Sequence, residues 1–182
     1  MSWKRIAEGE KMKRGIWLVA VLALAACAEK GAIVAPDVPS ALRPPAGETL
    51  YLEALAAGVQ IYVCSRKDDA SFEWAFKAPE AALVDRSGKS LGKHYAGPTW
   101  ESSDGSKVVG QVAARDPGPT PSAIPWLLLS AKSNSGSGTF AEAKSIQRVA
   151  TAGGIAPGTP CTAAKLSEVA PVPYTATYYF YR

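Results

Sequence analysis

From Thr49 onward, apolar and polar positions alternate with a period of two, and turn residues interrupt the alternation about every ten residues. That period sends successive side chains to opposite faces of a strand. GVQIYVCS sets Val59, Ile61 and Val63 on one face and Gln60, Tyr62 and Cys64 on the other. FEWAF sets Phe72, Trp74 and Phe76 against Glu73 and Ala75. AALVDRSGKSLG reads as two short runs about the turn Arg86-Ser87-Gly88. PTWESSDGSKVVGQVAA repeats the plan around Asp104-Gly105, a strong hairpin signal. Pro125 to Ala131, Ala143 to Thr151 and Tyr174 to Tyr181 supply further strands. Trp126 to Leu129 is continuously apolar and reads as a strand buried on both faces. In TATYYFYR, Tyr178 and Phe180 oppose Tyr179 and Tyr181. One of these faces is core; the other is an aromatic stripe for cross-strand packing or for a pocket wall. Asp116 to Ser122 and Gly153 to Pro160 are Pro/Gly loops, and helix is expected only over Leu50 to Ala57 and Ala163 to Val169. The pattern predicts an all-β fold, an antiparallel β-sandwich or barrel of roughly 7–9 strands with minor helical segments.

The first residues follow another logic. Residues 12–27 read MKRGIWLVAVLALAAC: a basic pair, Lys13 and Arg14, then an apolar run from Gly15 to Ala26. The run is too short for a membrane span, which needs about 20 apolar residues, and fits a secretory signal. Leu24-Ala25-Ala26-Cys27 resembles the lipobox of bacterial lipoproteins, which implies cleavage before Cys27 and its acylation. Ala28 follows that cysteine, a pattern that points to the outer membrane facing the periplasm. Membrane lipid, through acylated Cys27, is then a partner. Glu8 and Glu10 precede the basic pair, which makes Met12 the better start of a signal peptide than Met1. The expected organisation is a signal peptide over 1–27, a Pro-rich linker over 28–48 and a single β domain over 49–182. The linker has four prolines and no periodicity, so it is expected to gain little from burial and to act as a tether.

Charge changes with this reading. Five of the 20 Lys/Arg and two of the 16 Asp/Glu fall in residues 1–27, which leaves 15 against 14. Arg66-Lys67 is answered at once by Asp68-Asp69, and no basic stripe remains to meet a nucleic acid. The chain has three cysteines. With Cys27 acylated, Cys64 and Cys161 are left as a pair in an oxidising compartment, and a disulfide is the expected outcome. Two thiols without CxxC spacing and a single histidine make a poor metal site, so no metal and no cofactor is expected.

GVQIYVCS, FEWAFKAPEAAL, HYAGPTWE, DGSKVVG, AIPWLLL, SIQRVATAGG, Cys161 and VPYTATYYFYR occur in that order. Together they resemble the exported family called domain of unknown function 3455, across roughly Val59 to Arg182. The resemblance implies a secreted or envelope-attached protein and carries no catalytic residue with it. Some fungal members bear a malate dehydrogenase label. Gly136 to Ala141 does fit GxGxxG/A, but a dinucleotide site needs a strand before it, a helix after it and an acid about 20 residues on. Positions 158–160 are Gly-Thr-Pro. The six residues read instead as a flexible loop between strands.

HYAGPTWESSDGS is the best candidate for a site, with the sole histidine, His94, and with Trp100, Glu101 and Asp104. A histidine beside a carboxylate can do acid–base work, and a tryptophan can stack on a flat ligand. Trp100 as core and His94 as a satisfied polar group is the plainer reading. Arg148 reads as a structural ion pair with Glu101 or Asp104, or as an anion clamp. The candidate ligand-binding set is therefore His94, Trp100, Glu101 and Arg148, with no catalytic residue assigned. The expected function is non-catalytic binding of a small molecule, glycan or lipid by an envelope-anchored domain. The alternatives are a protein-interaction or structural module of the envelope, and a hydrolase using His94 and Glu101.

Overall fold

The structure is a computed structural model, and it describes residues 31–182. The lipobox Leu24 to Cys27, the start Met12 and the first residues of the linker lie outside the described residues. Eight strands run in chain order: β1 (Leu50–Arg66), β2 (Phe72–Val84), β3 (Ser90–Tyr95), β4 (Thr99–Ser102), β5 (Lys107–Asp116), β6 (Trp126–Ser135), β7 (Ser145–Gly153) and β8 (Val169–Tyr181). Each pairs antiparallel with the next, and β8 returns to β1, so the sheet closes into a barrel. Of the two architectures expected, the barrel is the one formed. Its long first strand closes the ring, since β1 pairs with β2 from Leu55 to Arg66 and with β8 from Leu50 to Val63. Closure leaves no free strand edge.

The turns fall where turn chemistry put them. Gly88 and Gly105 carry φ of 83° and 85° in the hairpins after β2 and after β4. The helix expected over Leu50 to Ala57 is strand instead. Its small residues Ala54 and Ala56 alternate into the barrel, and their size leaves room for the large side chains of the opposite wall. Of Ala163 to Val169, only Ala163–Lys165 forms a 3-10 turn.

The core fills the barrel with Leu83, Trp100, Val108, Leu129, Ile146 and Phe180, among others. A second cluster lies outside the wall. Val38 and Leu42, from the Pro-rich segment, pack there on Leu128 and Val149, with Trp126 and Tyr179 at its margin. Gln147 Nε2 donates to Leu42 O at 2.7 Å, and Tyr181 Oη donates to Gln147 Oε1 at 2.6 Å. The end of that segment therefore docks on the domain, against the expectation that it gains little from burial. Two apolar anchors suffice because the backbone between them is bonded as well. This cover also explains Trp126 to Leu129: Leu127 and Leu129 face the main core, while Leu128 faces the second cluster.

Cys64 and Cys161 form a disulfide, with Cα atoms 5.4 Å apart. It ties the last turn of β1 to the loop between β7 and β8.

Candidate functional site

An up-and-down barrel gathers alternate loops at opposite ends. The β1–β2, β3–β4, β5–β6 and β7–β8 connections share one end, and a cavity of about 510 Å³ opens there. The residues that line it come from most of the strands. Gln60 and Tyr62 arrive from β1, Phe76 from β2, His94 from β3, Trp100 from β4 and Arg148 from β7. Leu127 and Leu129 of β6, with Tyr178 of β8, complete the deep wall. Alternation on β1 thus turns the Gln60, Tyr62, Cys64 face inward and leaves Val59, Ile61 and Val63 half-buried outside.

His94 and Trp100 are directly opposed across the β3–β4 hairpin, and their rings stack 4.4 Å apart. Gly110 makes the space for the indole: a Cβ there would meet Trp100 Cζ3 at 2.9 Å. His94 Nδ1 lies 2.9 Å from Thr99 O. A carbonyl only accepts, so Nδ1 carries the proton and Nε2 is left as an acceptor. Burial pushes the His94 pKa down to about 3; the bond to Thr99 opposes the shift, and the nearby Arg148 charge adds to it. Near neutral pH this histidine is an uncharged, fixed group.

Arg148 donates from Nε and Nη2 to Pro125 O at 3.1 and 2.8 Å. Among the described residues it forms no ion pair, neither with Glu101 nor with Asp104. Burial lowers its pKa, while Tyr178 and Tyr174 favour its charge. Arginine stays protonated under such a shift. Tyr178 is fully buried, and burial raises its pKa well above the usual value. Tyr174 with Tyr178, Tyr178 with Arg148, and Tyr174 with Gln60 are close enough to shift pKa values as hydrogen-bonding neighbours. Yet Gln60 Nε2, Tyr174 Oη, Tyr178 Oη and Trp100 Nε1 are buried without a hydrogen-bond partner. Proximity here falls short of bonding geometry. Such orphaned groups are uncommon in folded proteins, because each loses its water without compensation.

Glu101 stands apart. It pairs in register with Lys93, not with His94, and therefore sits on the outer face of the wall. Tyr95 Oη donates to it at 2.7 Å, and Lys93 and Lys107 lie 3.6 and 3.5 Å away. The Tyr95 bond first, with the two lysines behind it, holds its pKa below the usual carboxylate range. A hydrolytic centre made of His94 and Glu101 does not form, since the sheet separates them. Asp104 lies at the other end of the barrel. It accepts from Ser106 N and Oγ and from Thr139 N and Oγ1, all within 2.9 Å. That set clips the β6–β7 loop, Gly136 to Ala141 included, and gives the glycine motif a structural role.

Three of the four candidate residues, His94, Trp100 and Arg148, thus line one cavity, and Glu101 does not. Sequence reasoning missed Gln60 and Tyr62 as site residues. Gln60 carried a signal, as the lone amide in the β-branched and aromatic run GVQIYV. At the mouth, Phe76 and Val112 are exposed apolar side chains, and Lys77 and Arg115 are exposed cations.

Residues 45–182 match the family described as "Protein of unknown function (DUF3455)". No curated protein and no solved structure matches the chain.

Proposed function

The chain belongs to this DUF3455 family, whose description assigns no activity, and we propose that it is an envelope-anchored binding protein that takes a small molecule into the open end of its barrel. The observation that supports this is the cavity itself: about 510 Å³, walled by aromatic and aliphatic side chains, with a few buried polar atoms left unbonded. Its size and lining are those of small-molecule sites. His94 is held neutral by burial with its Nδ1 proton committed to Thr99, and its low pKa makes it a weak base near neutral pH. Binding without turnover is the reading that fits. The anchor in this proposal is acylated Cys27, and multiple acyl chains give firm attachment where a single one does not. The Cys27→Ser chain is expected to lose its membrane partitioning, and unchanged partitioning contradicts the anchor.

The binding reading is tested by thermal unfolding of the full chain against a panel of small amphipathic compounds. A binder raises the midpoint, since a ligand that prefers the folded state stabilises it. Val112→Trp at the mouth is expected to keep the fold and abolish that rise. A rise that persists in Val112→Trp puts the ligand elsewhere.

A further inference from the structure

The orphaned groups of the cavity share a chemical sense. Gln60 Nε2 and Trp100 Nε1 only donate, and the Tyr178 hydroxyl can donate. Arg148 adds a guanidinium that donates to Pro125 O through Nε and Nη2 and lies beside Tyr178. No Asp or Glu lines the cavity. A half-buried cation with no counter-ion among the described residues loses part of its hydration uncompensated, and an anion that shares its site relieves that loss. The mouth repeats the sign with Lys77 and Arg115. Against these stand apolar walls, Leu127, Leu129 and Ile124 inside and Phe76 and Val112 outside.

Resting on the reading of the cavity as a ligand site, we infer that its ligand is an amphipathic organic acid. Its carboxylate meets Arg148, Tyr178 and Gln60, and its apolar body lies against Trp100 and the leucines. Guanidinium suits a carboxylate because its planar fork gives two parallel hydrogen bonds. Tyr178 and Gln60 supply the neutral donors that complete the shell, and Arg115 and Lys77 steer the anion inward. A neutral ligand of the same shape leaves the guanidinium uncompensated.

Calorimetric titration of the full chain in a non-ionic, sugar-headed detergent separates this inference from the reading beneath it. The probes are 2-naphthoate and octanoate, each against its neutral primary amide, 2-naphthamide or octanamide. At least one acid is expected to bind at least tenfold more tightly than its amide, with an affinity that falls as salt is raised. Arg148→Gln is expected to erase the preference, chiefly by weakening the acid. Acid and amide binding alike overturns the anion inference and leaves the cavity reading standing. A preference that survives in Arg148→Gln also overturns the assignment. If none of the four compounds binds, both the inference and the binding reading fail. The wild-type comparison of acid with amide stands whether or not the Arg148 variant folds.

Discussion

The two ends of this barrel are built on the same eight strands and differ in how many buried polar groups they leave without partners. At the closed end, Asp104 accepts four bonds, and Ser106 Oγ also accepts from Phe140 N. Asn134 Nδ2 donates to Phe140 O and Ala143 O, and Tyr51 Oη donates to Thr139 O. Phe140 and Phe180 fill the space between them with rings 4.8 Å apart. At the open end, four buried polar atoms lack partners in or beside a cavity of about 510 Å³, against Glu48 Oε2 just before β1 at the closed end. A sequence optimised for stability alone closes both ends alike. The difference is what the proposed binding role expects, since binding sites commonly give up stability for an occupant.

The largest expected effect concerns how the open end is held. Its β7–β8 loop is fastened by the Cys64–Cys161 disulfide, by Tyr62 Oη to Gly154 O at 2.7 Å and by Trp74 Nε1 to Thr159 O at 2.8 Å. The cysteines are 97 residues apart. A loop of that length is worth about 4–5 kcal/mol in the chain-entropy model, with measured losses reaching lower, to about 2 kcal/mol. Cys64→Ala with Cys161→Ala is expected to lower the unfolding free energy by about that range in denaturant titrations. Hydrogen exchange in that variant should rise over the β7–β8 loop and stay protected at Phe140. Equal loosening of both ends breaks the comparison.

The next effect is a pH dependence that belongs to the open end. The folded His94 pKa, about 3, lies below its ordinary value of 6.5. The unfolded chain therefore binds the proton more readily between those two values. The stability from neutral His94 is full above about pH 6.5 and falls away as pH drops toward 3, by an amount of order a few kcal/mol. Denaturant unfolding measured from pH 7 to pH 4 should show this decline, and His94→Gln should flatten it. Asp104, at the closed end, also has a depressed pKa, first through its bond from Ser106. Its contribution is present above the ordinary carboxylate range and is lost only at more acid pH. An unchanged slope in His94→Gln removes the histidine from this account.

The smallest effect is a pair of hydroxyl deletions with opposite signs. Tyr181 Oη donates to buried Gln147, while Tyr178 Oη has no partner. Tyr181→Phe strands an acceptor and should destabilise by about 1–2 kcal/mol. Tyr178→Phe removes an orphan and should be neutral or stabilising by up to about 1 kcal/mol. Equal losses in both would mean that Tyr178 Oη is satisfied.

Much of the barrel was legible because it rests on local rules. The turns at Arg86 to Gly88 and Asp104-Gly105 are dictated by residues that tolerate positive φ, and the alternation along GVQIYVCS marks a two-faced strand wherever it sits. The disulfide followed from counting. What the pattern left open was which face of β1 turns inward, because Val59, Ile61 and Val63 look like core. They remain half outside because the ring closes with Gln60 and Tyr62 around the cavity. Leu50 to Ala57 misled because alanine favours helix on its own, and barrel closure overrode that preference. The docking of Val38 and Leu42 left no trace, since single anchors have no period. Half of HYAGPTWE reached the cavity: His94 and Trp100 are cross-strand partners, whereas Glu101 is one position out of phase and faces the other way. Arg148 was visible as a candidate, but its neighbours Gln60 and Tyr178 join it only through long-range pairing.

The central claim is that the open end, not the closed end or the outer wall, receives a ligand. Chemical-shift mapping of the isotope-labelled full chain with 2-naphthoate and with octanoate tests it. Saturable shifts are expected on Gln60, His94, Trp100, Arg148 and Tyr178, with Ser106, Phe140 and Glu101 unmoved. Shifts centred on the closed end or on the outer face around Glu101, or none at all, would contradict it.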